Sequence, residues 1–259
     1  MNIADENRQV YEQDSVVAEY VDSAGLQPPE QTILALLKER LAGWKMLDVG
    51  VGAGRTTAHF LPLVREYVGI DYAAAMVEAC RRKFAGAAKP AEFQQMDARD
   101  LRFADDSFEF VFFSFNGIDS LVHEDRIKVL REMKRVCSPH GVVCFSAHNL
   151  WYLPLHFRAR PGGGIMGRLR GIARRLIYYW HNGRLSSLLA GEHAQVVDGI
   201  HRRGIRNYYI KPEAQFRQLQ ELGFARVRVF DYHDGKELQS WERSREPWLH
   251  YLCEMSEES

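Results

Sequence analysis

Short apolar runs alternate with longer amphipathic segments along residues 45–147. The runs have the length of β-strands, and the segments between them repeat apolar residues at the spacing of a helix. Strands that alternate with helices predict a parallel, doubly wound sheet with helices on both faces. We therefore predict an α/β fold, with strands over the runs 45–48, 67–71, 91–97, 108–116 and 142–147.

The pattern continues on both sides of this region. Residues 8–21 have helical character, and a second helix is predicted from Pro28, because proline suits the first turn and apolar residues follow at helical spacing. Beyond the central region, residues 211–222 predict a helix, and residues 226–232 and 248–255 predict two strands. The chain thus begins with a helical segment and ends with further elements of the sheet.

A long segment separates these last elements from the central region. It includes an amphipathic stretch, Ile165 to Trp180, with apolar residues on one face and arginines elsewhere. Loops of such length inside a compact domain are usually functional. We predict a helical cap over the ligand crevice, and divide the chain into a core with N-terminal helices at 1–149, the cap at 150–206 and the C-terminal part of the core sheet at 207–259.

A glycine turn follows the first predicted strand. Asp48 ends the apolar run, and glycines at every second position (Gly50, Gly52, Gly54) precede a helical segment. A strand, a glycine turn and a helix present backbone to nucleotide-like ligands, since glycine lacks a Cβ and lets a ligand approach the main chain. A dinucleotide fingerprint would need glycine at the position that Arg55 occupies.

This D-x-G-x-G-x-G turn resembles motif I of the class I S-adenosylmethionine (SAM) dependent methyltransferases. Asp71 ends the second run, Asp97 ends the third, and residues 108–116 resemble motif IV, all in the order of that family. The resemblance covers residues 45–148 well and 208–254 moderately. It implies a mostly parallel seven-stranded sheet with an antiparallel last strand. It also implies SAM as cofactor and S-adenosyl-L-homocysteine as product.

Position in these motifs implies the role of each cofactor-binding residue. Asp48 is expected to support the glycine turn and the ligand's amino group, and Asp71 to bind the ribose. For Met76 a place in the core is an equal alternative. The other expected contacts are those of the backbone cradle, the adenine and the methyl group: Gly50, Gly52 and Gly54; Tyr72, Met76, Asp97 and Ala98; Phe115 and Asn116.

Two tyrosines of the N-terminal helical segment are further candidates. Small-molecule members of the family often fold an N-terminal helix over the cofactor and supply a tyrosine from it. Tyr11 and Tyr20 occupy such a segment, so both are expected cofactor contacts, with simple amphipathic packing as the alternative. Aromatic rings near a sulfonium would also gain cation–π attraction.

Three residues are candidates for catalysis. Asp119, His123 and His148 follow the fourth and fifth strands, where this fold exposes side chains to the ligand crevice. His148 would take a proton from a hydroxyl or amine near neutral pH. A surface or capping role is the alternative for both histidines. The histidines of residues 150–206 lack metal-ligand spacing, so no metal is expected.

The arginines of the insertion leave three alternatives open. They form a solvated outer face, as charged runs usually do, or a pocket for an acidic or phosphorylated small substrate, or a contact with a membrane surface. Nucleic acid is not expected as a partner, because residues 116–119 are unlike the family's motif for exocyclic amines. An aromatic-rich insertion also leaves a homodimer open.

Composition and net charge exclude few of these alternatives. Lys+Arg and Asp+Glu both number 34, so net charge gives no steering argument. Without a signal-like start, a long apolar span or a C-x-x-C pair, the chain is expected to be cytoplasmic with reduced cysteines. We predict a methyltransferase acting on oxygen or nitrogen of a small molecule. A protein or peptide methyltransferase and a non-catalytic SAM-binding partner are the alternatives.

Overall fold

The computed structural model describes residues 3–23, 25–156, 172, 176, 178–198 and 206–255, with the backbone alone for residues 3–6. Its helices are α1 Ile3–Tyr11, α2 Asp14–Val21, α3 Pro28–Leu41, α4 Thr57–Phe60, α5 Ala74–Phe84, α6 His123–Val136, α7 Leu153–His156, α8 Leu185–Ala190 and α9 Pro212–Glu221. Its strands are β1 Lys45–Val49, β2 Glu66–Asp71, β3 Glu92–Gln95, β4 Phe108–Phe113, β5 Cys137–Asn149, β6 His193–Val197, β7 Arg206–Ile210, β8 Phe224–Phe230 and β9 Trp248–Met255.

The central strands form a parallel sheet in the order β3–β2–β1–β4–β5. Leu47 of β1 lies opposite Val68 of β2 on one side and Val111 of β4 on the other. The last strand, β9, runs antiparallel to β5, and β8 runs antiparallel to β9. The doubly wound, mostly parallel α/β fold class is thereby confirmed.

The sheet has nine strands in the described residues rather than the predicted seven. β5 continues to Asn149, whereas its neighbour β4 ends at Phe113, which lies opposite Phe145. On the side of β4, the backbone N–H and C=O groups of β5 beyond Phe145 would have no partner strand. Instead, β7 pairs with His148 and Asn149, and β6 pairs antiparallel with β7.

The segment 150–206 is therefore not helical throughout. Its described part contains α7, a helical stretch at 178–182, α8 and the strand β6. The predicted amphipathic stretch is described only at residues 172, 176 and 178–180, and the arginines expected on its polar side lie outside the described residues. No helix within the described ranges is both long enough and apolar enough to span a bilayer.

Helices cover both faces of the sheet because each presents an apolar stripe at helical spacing. On one face, α6 buries Val129, Leu130, Met133 and Val136 against the sheet. On the other face, α3 buries Ile33, Leu37 and Leu41. The helices cover both faces of the sheet but leave the carboxyl ends of β1, β2 and β4 accessible. The candidate site lies at these strand ends.

Candidate functional site

A crevice opens beside the carboxyl ends of β1, β2 and β4. The strand order reverses here, with β2 on one side of β1 and β4 on the other, and open α/β sheets bind ligands at such a point. Most of the predicted cofactor-binding residues line this crevice: Tyr11, Tyr20, Gly50, Gly52, Asp71, Tyr72, Met76, Asp97, Ala98 and Phe115.

The glycine turn forms one wall of the crevice with main chain. Gly50 and Gly52 have left-handed backbone conformations, with φ of +61° and +55°, which L side chains adopt only at a cost. A Cβ on Gly50 would lie 2.5 Å from Cε2 of Phe113, so packing also excludes larger residues there. A Cβ on Gly52 would project towards Tyr20, 3.4 Å from Cδ1. Glycine therefore keeps open the gap between this turn and α2.

Asp71 accepts hydrogen bonds from this turn. The Gly52 N–H donates to Oδ2 at 3.0 Å, and the Ala73 N–H donates to Oδ1 at 2.9 Å. Each carboxylate oxygen has a second lone pair, so both retain capacity for a ligand hydroxyl. Burial raises the pKa of Asp71 to about 6, although the backbone hydrogen bonds oppose the rise.

Three tyrosines form an aromatic wall opposite the turn. The ring of Tyr11 meets the rings of Tyr20 and Tyr72 edge-on, with centroids 6.0 and 6.1 Å apart. Asn7 of α1 holds this helix in place, since its Nδ2 donates to the carbonyl oxygen of Ser120 at 2.7 Å. The N-terminal helices are thus fastened to the loop after β4. Whether the tyrosines contact a cofactor stays a prediction.

Asp97 enters the crevice as half of an ion pair that the sequence analysis missed. Arg99 donates to it from Nη2 at 2.6 Å and from its backbone N–H at 2.9 Å, and also reaches Asp125 at 2.7 Å. Burial opposes ionisation of Asp97, but the hydrogen bonds from Arg99 outweigh it and lower the pKa of this carboxyl. Asp97 is therefore an ionised acceptor in a fixed orientation.

Asp48 and Gly54 do not line the crevice, contrary to expectation. Asp48 is fully buried, and its Oδ2 accepts hydrogen bonds from Thr56 Oγ1 and Tyr67 OH, both at 2.6 Å. It supports the glycine turn from behind through Oδ2, while its Oδ1 is buried without a hydrogen-bond partner among the described residues, so a contact with a ligand's amino group stays a prediction. Burial raises its pKa to about 6. A Cβ on Gly54 would lie 2.4 Å from Cε2 of Phe84, so this glycine serves the packing of α5.

The loop after β4 is strained at two consecutive residues. Phe115 and Asn116 have φ of +53° and +56°, a conformation that non-glycine residues adopt rarely and mostly at functional sites. The Asn116 N–H donates to Ser146 Oγ at 2.7 Å, which fastens the loop to β5. Phe115 is exposed and lines the crevice, whereas Asn116 is buried beside it and does not.

Two of the three predicted catalytic residues form a hydrogen-bonded pair. Asp119 Oδ2 accepts hydrogen bonds from the His148 backbone N–H at 2.6 Å and from Nδ1 at 2.9 Å. This bond assigns the ring proton to Nδ1 and leaves the lone pair on Nε2. Nε2 lies 3.3 Å from Nδ2 of Asn116. Nε2 is the nitrogen that a general base needs, and in this structure it accepts a hydrogen bond from the Asn116 amide.

Arg126 secures Asp119 from the other side. Both side chains are fully buried, and Arg126 Nε donates to Asp119 Oδ1 at 3.2 Å. Arg126 Nη2 also donates to Gln215 Oε1 at 2.6 Å, and the guanidinium lies 4.9 Å from the ring centroid of Tyr208. A buried ion pair requires such additional partners to offset desolvation. The network therefore fixes Asp119 and, through it, the ring of His148.

His123 is separated from this pair by its own contacts. Its Nδ1 lies 2.7 Å from the hydroxyl of Tyr208, and its ring stacks on His193 with centroids 4.2 Å apart. None of the three candidates, His123, His148 and Asp119, is among the residues that line the crevice. The structure therefore joins His148 to Asp119, and it places the third candidate in a different cluster between α6 and β6.

Sequence reasoning missed several residues around the crevice. Arg55, which was noted only for excluding a dinucleotide motif, donates from both terminal nitrogens to Glu30 at 2.6 Å and lies 5.1 Å from the ring centroid of Phe115. It links the glycine turn to α3 and to the loop after β4. The other missed residues adjoin motif positions: Ile70, Met96, Arg99, Phe113, Ser114, Gly117, Ser120 and Leu121.

Residues 46–141 match the model of a protein family described as a methyltransferase domain. The chain is 40% identical over 106 residues to a demethylmenaquinone methyltransferase of Clavibacter sepedonicus, covering 40% of this chain and 42% of that protein. It is 35% identical over 181 residues to a malonyl-[acyl-carrier protein] O-methyltransferase of Halorhodospira halophila, covering 69% of this chain and 57% of that protein. The chain thus spans about half the length of these relatives.

The fold has a solved counterpart that covers almost the whole chain. An S-adenosylmethionine dependent methyltransferase from Mesorhizobium loti superposes with a TM-score of 0.60 at 20% identity, covering 90% of this chain and 99% of that chain. At this identity the likeness concerns the fold. Together with the family match, it confirms the resemblance to class I methyltransferases, the family whose cofactor is SAM.

Proposed function

We infer that this chain, which carries a methyltransferase domain of the class I fold, transfers a methyl group from SAM to an oxygen or nitrogen of a small-molecule acceptor. One observation carries the proposal. The Gly50–Gly52 turn, the Asp71 carboxylate and the wall of Tyr11 and Tyr20 converge on a single crevice at the switch point of the sheet. SAM is a positively charged nucleoside. Backbone N–H groups, a carboxylate that accepts hydrogen bonds from the ribose hydroxyls and aromatic rings are the groups that would bind such a ligand.

The residues of the crevice fit the parts of SAM. Asp71 would accept hydrogen bonds from the ribose hydroxyls through its remaining lone pairs, and the turn would face the amino-acid end of the cofactor. Met76 and Tyr72 offer apolar surface to the adenine, and Asp97 offers an ionised acceptor for its amine. When bound, SAM supplies a methyl group that its sulfonium has already activated.

The acceptor would lie at the end of the crevice that Phe115 lines. Asn116 Oδ1 lies beside Phe115, buried and without a hydrogen-bond partner among the described residues, so it would accept a hydrogen bond from a substrate hydroxyl or amine that reached it. His148 Nε2 would take the proton, while Asp119 holds the ring and stabilises its charged form. The residues of this chain would thus align SAM with the acceptor, exclude water from the reacting atoms and take up the acceptor's proton.

Calorimetric titration tests the cofactor half of this proposal. We expect micromolar binding of SAM and of S-adenosyl-L-homocysteine, and no binding of NAD, because Arg55 stands where a dinucleotide turn needs glycine. A screen of phenols, amines and acids with methyl-labelled SAM then identifies the acceptor. Failure to bind SAM would reject the proposal. Binding without transfer to any small molecule or peptide would support a non-catalytic SAM-binding protein instead.

A further inference from the structure

Two buried polar atoms near His148 lack hydrogen-bond partners in the described part of the chain. They are Nε1 of Trp248 and Oδ1 of Asn116. An indole N–H can only donate a hydrogen bond and an amide oxygen can only accept one, so the two atoms have opposite requirements. A donor and an acceptor left unpaired in a protein interior are costly, and a bound molecule that pairs with them removes this cost.

The pairing of β5 with β9 brings Trp248 against His148. The two residues lie directly opposite each other in this antiparallel pair, so their side chains are on the same face of the sheet. Their rings meet edge-on, with centroids 5.9 Å apart. Asn116 reaches the same histidine from the loop after β4, since its Nδ2 lies 3.3 Å from His148 Nε2. The unpaired donor, the unpaired acceptor and the proposed base are therefore neighbours.

Aromatic rings connect Trp248 to the crevice. The ring centroid of Tyr232 lies 4.1 Å from that of Trp248, and the centroid of Phe115 lies 6.5 Å from it. Phe115 is 44% exposed and lines the crevice, whereas Trp248 does not line it. A molecule in the crevice would therefore reach Trp248 by turning the exposed Phe115 side chain aside. A flat aromatic molecule in that position would pack against these rings.

We propose that Trp248 selects an acceptor whose methylated atom is the oxygen of an aromatic hydroxyl group, an inference that rests on the proposed methyl transfer from SAM. A hydroxyl oxygen has two lone pairs. One forms the new O–C bond as the C–S bond of the sulfonium breaks and leaves its electron pair on sulfur. The other accepts a hydrogen bond from Trp248 Nε1. The hydroxyl proton passes to His148 Nε2, which first has to lose its hydrogen bond from the Asn116 amide.

Amines and carboxylates fit the same atoms less well. A neutral amine nitrogen has a single lone pair, which the new N–C bond uses, so nothing remains to accept a hydrogen bond from Trp248 Nε1. A site with a buried donor discriminates against a molecule that leaves this donor unpaired. A carboxylate has lone pairs for the indole, but it brings no proton for His148 and would place its negative charge beside the Asn116 oxygen. A hydroxyl group satisfies all three residues.

Binding of two matched probes, 1-naphthol and 1-naphthylamine, tests this selection. We expect the full chain with S-adenosyl-L-homocysteine to bind 1-naphthol at least ~10-fold more tightly than 1-naphthylamine in calorimetric titration, and methyl transfer from SAM to show the same preference. Trp248→Phe keeps an aromatic ring and removes the N–H, so it should lose about 10-fold in binding of 1-naphthol and bind the two probes about equally. Trp44→Phe is the matched control, because Trp44 precedes β1 at the opposite end of the sheet, and it should keep the preference.

Three results would overturn this inference: no binding of 1-naphthol, equal binding of both probes to the unchanged protein, or an undiminished preference in Trp248→Phe. SAM titration of the same samples separates such a failure from a failure of the proposed function. A chain that binds SAM and methylates the amine remains a methyltransferase, with nitrogen as its acceptor atom. A chain that does not bind SAM rejects both proposals. An unchanged melting temperature shows that Trp248→Phe is folded, and the comparison of the two probes on the unchanged protein does not depend on this variant.

Discussion

The two ends of the crevice are built in different ways. At the proposed cofactor end, the groups that face the crevice are the main chain of the Gly50–Gly52 turn and the carboxylate of Asp71, at the end of the neighbouring strand β2. At the proposed acceptor end, behind the residues that line the crevice, His148 depends on Asp119, which depends on Arg126, and Arg126 is held by Gln215. One end is therefore a local backbone structure, and the other is a chain of buried side chains from separate elements.

This difference decides how each end should respond to mutation. A backbone cradle is changed only where a side chain is added or a carboxylate is lost, and such changes should affect binding of the cofactor. A relay of side chains transmits changes along its length, and these should affect turnover while the cofactor still binds.

Asp71→Ala should weaken SAM binding by about 100-fold or more. Hydrogen bonds to a charged group contribute about 1.5–3 kcal/mol each, and this carboxylate would accept two from the ribose while also anchoring the Gly52 N–H. Calorimetry measures the loss. Asp100→Ala, which removes an exposed carboxylate nearby, is the control and should bind SAM normally. Equal affinity in both variants would place the ribose elsewhere.

His148→Ala should lower turnover by about 100-fold while leaving SAM affinity unchanged, because general bases contribute at least that factor. Asp119→Asn keeps the shape of the site but weakens its hold on the ring, so it should show the same split with a smaller loss. The assay is methyl transfer to the acceptor found by screening, together with SAM titration. If turnover is normal in both variants, the acceptor needs no base.

His123→Ala provides a matched comparison outside the Asp119–His148 pair. His123 contacts Tyr208 and His193 instead of Asp119, so its loss should change turnover much less than that of His148. A large loss of turnover in His123→Ala, with His148→Ala active, would exchange the two assignments. SAM affinity in the same samples separates such an effect from damage to the fold.

The same difference explains which parts of the molecule were predictable from the sequence. The glycine turn and the strand-end acids Asp71 and Asp97 depend on neighbours close in sequence, so spacing reveals them. The network around Asp119 does not, since His148 is 29 positions from Asp119, and Arg126 meets Gln215, 89 positions further on, only when α6 and α9 pack. The pair β6–β7 was missed for a similar reason, because only the length of β5 beyond β4 creates its place in the sheet.

Asp48 shows a limit of motif reading even at the predictable end. The sequence identifies its position in the motif, but it does not show how deeply the side chain is buried. The side chain is fully buried between Thr56 and Tyr67. A strand-end acid either reaches a ligand or supports the turn from behind, and only the direction of the side chain from β1 decides between these roles.

Gly50→Ala should lower the free energy of unfolding by about 1–3 kcal/mol, since the new Cβ would meet Phe113 at 2.5 Å in a left-handed conformation. Thermal or denaturant unfolding measures the change. Gly86→Ala is the matched control, because a Cβ there has nothing within 4 Å. An equal effect of the two substitutions would mean that the turn tolerates side chains, and the backbone cradle would lose its physical basis.

The smallest expected effect is a dependence of SAM affinity on pH. Burial raises the pKa of Asp71 to about 6, and only the ionised carboxylate can accept hydrogen bonds at both oxygens. Affinity should therefore be constant above pH 6 and fall towards tenfold per unit below it. The apoprotein should respond in the opposite direction: because the folded pKa lies above the unfolded value of 3.8, the folded state binds more protons in this window, and the stability that this group contributes is lost as the pH rises from about 4 to 6.

Asp71→Asn separates this titration from that of the ligand itself. The variant should bind SAM more weakly at every pH. Its SAM affinity should fall below pH 6 only as far as Asp48 contributes, since burial raises the pKa of that carboxyl to about 6 as well. Asp48→Asn should keep the Asp71 dependence, because Asp48 does not line the crevice. If Asp48→Asn instead abolishes the pH dependence, the support behind the turn, and not the carboxylate facing the crevice, controls cofactor binding.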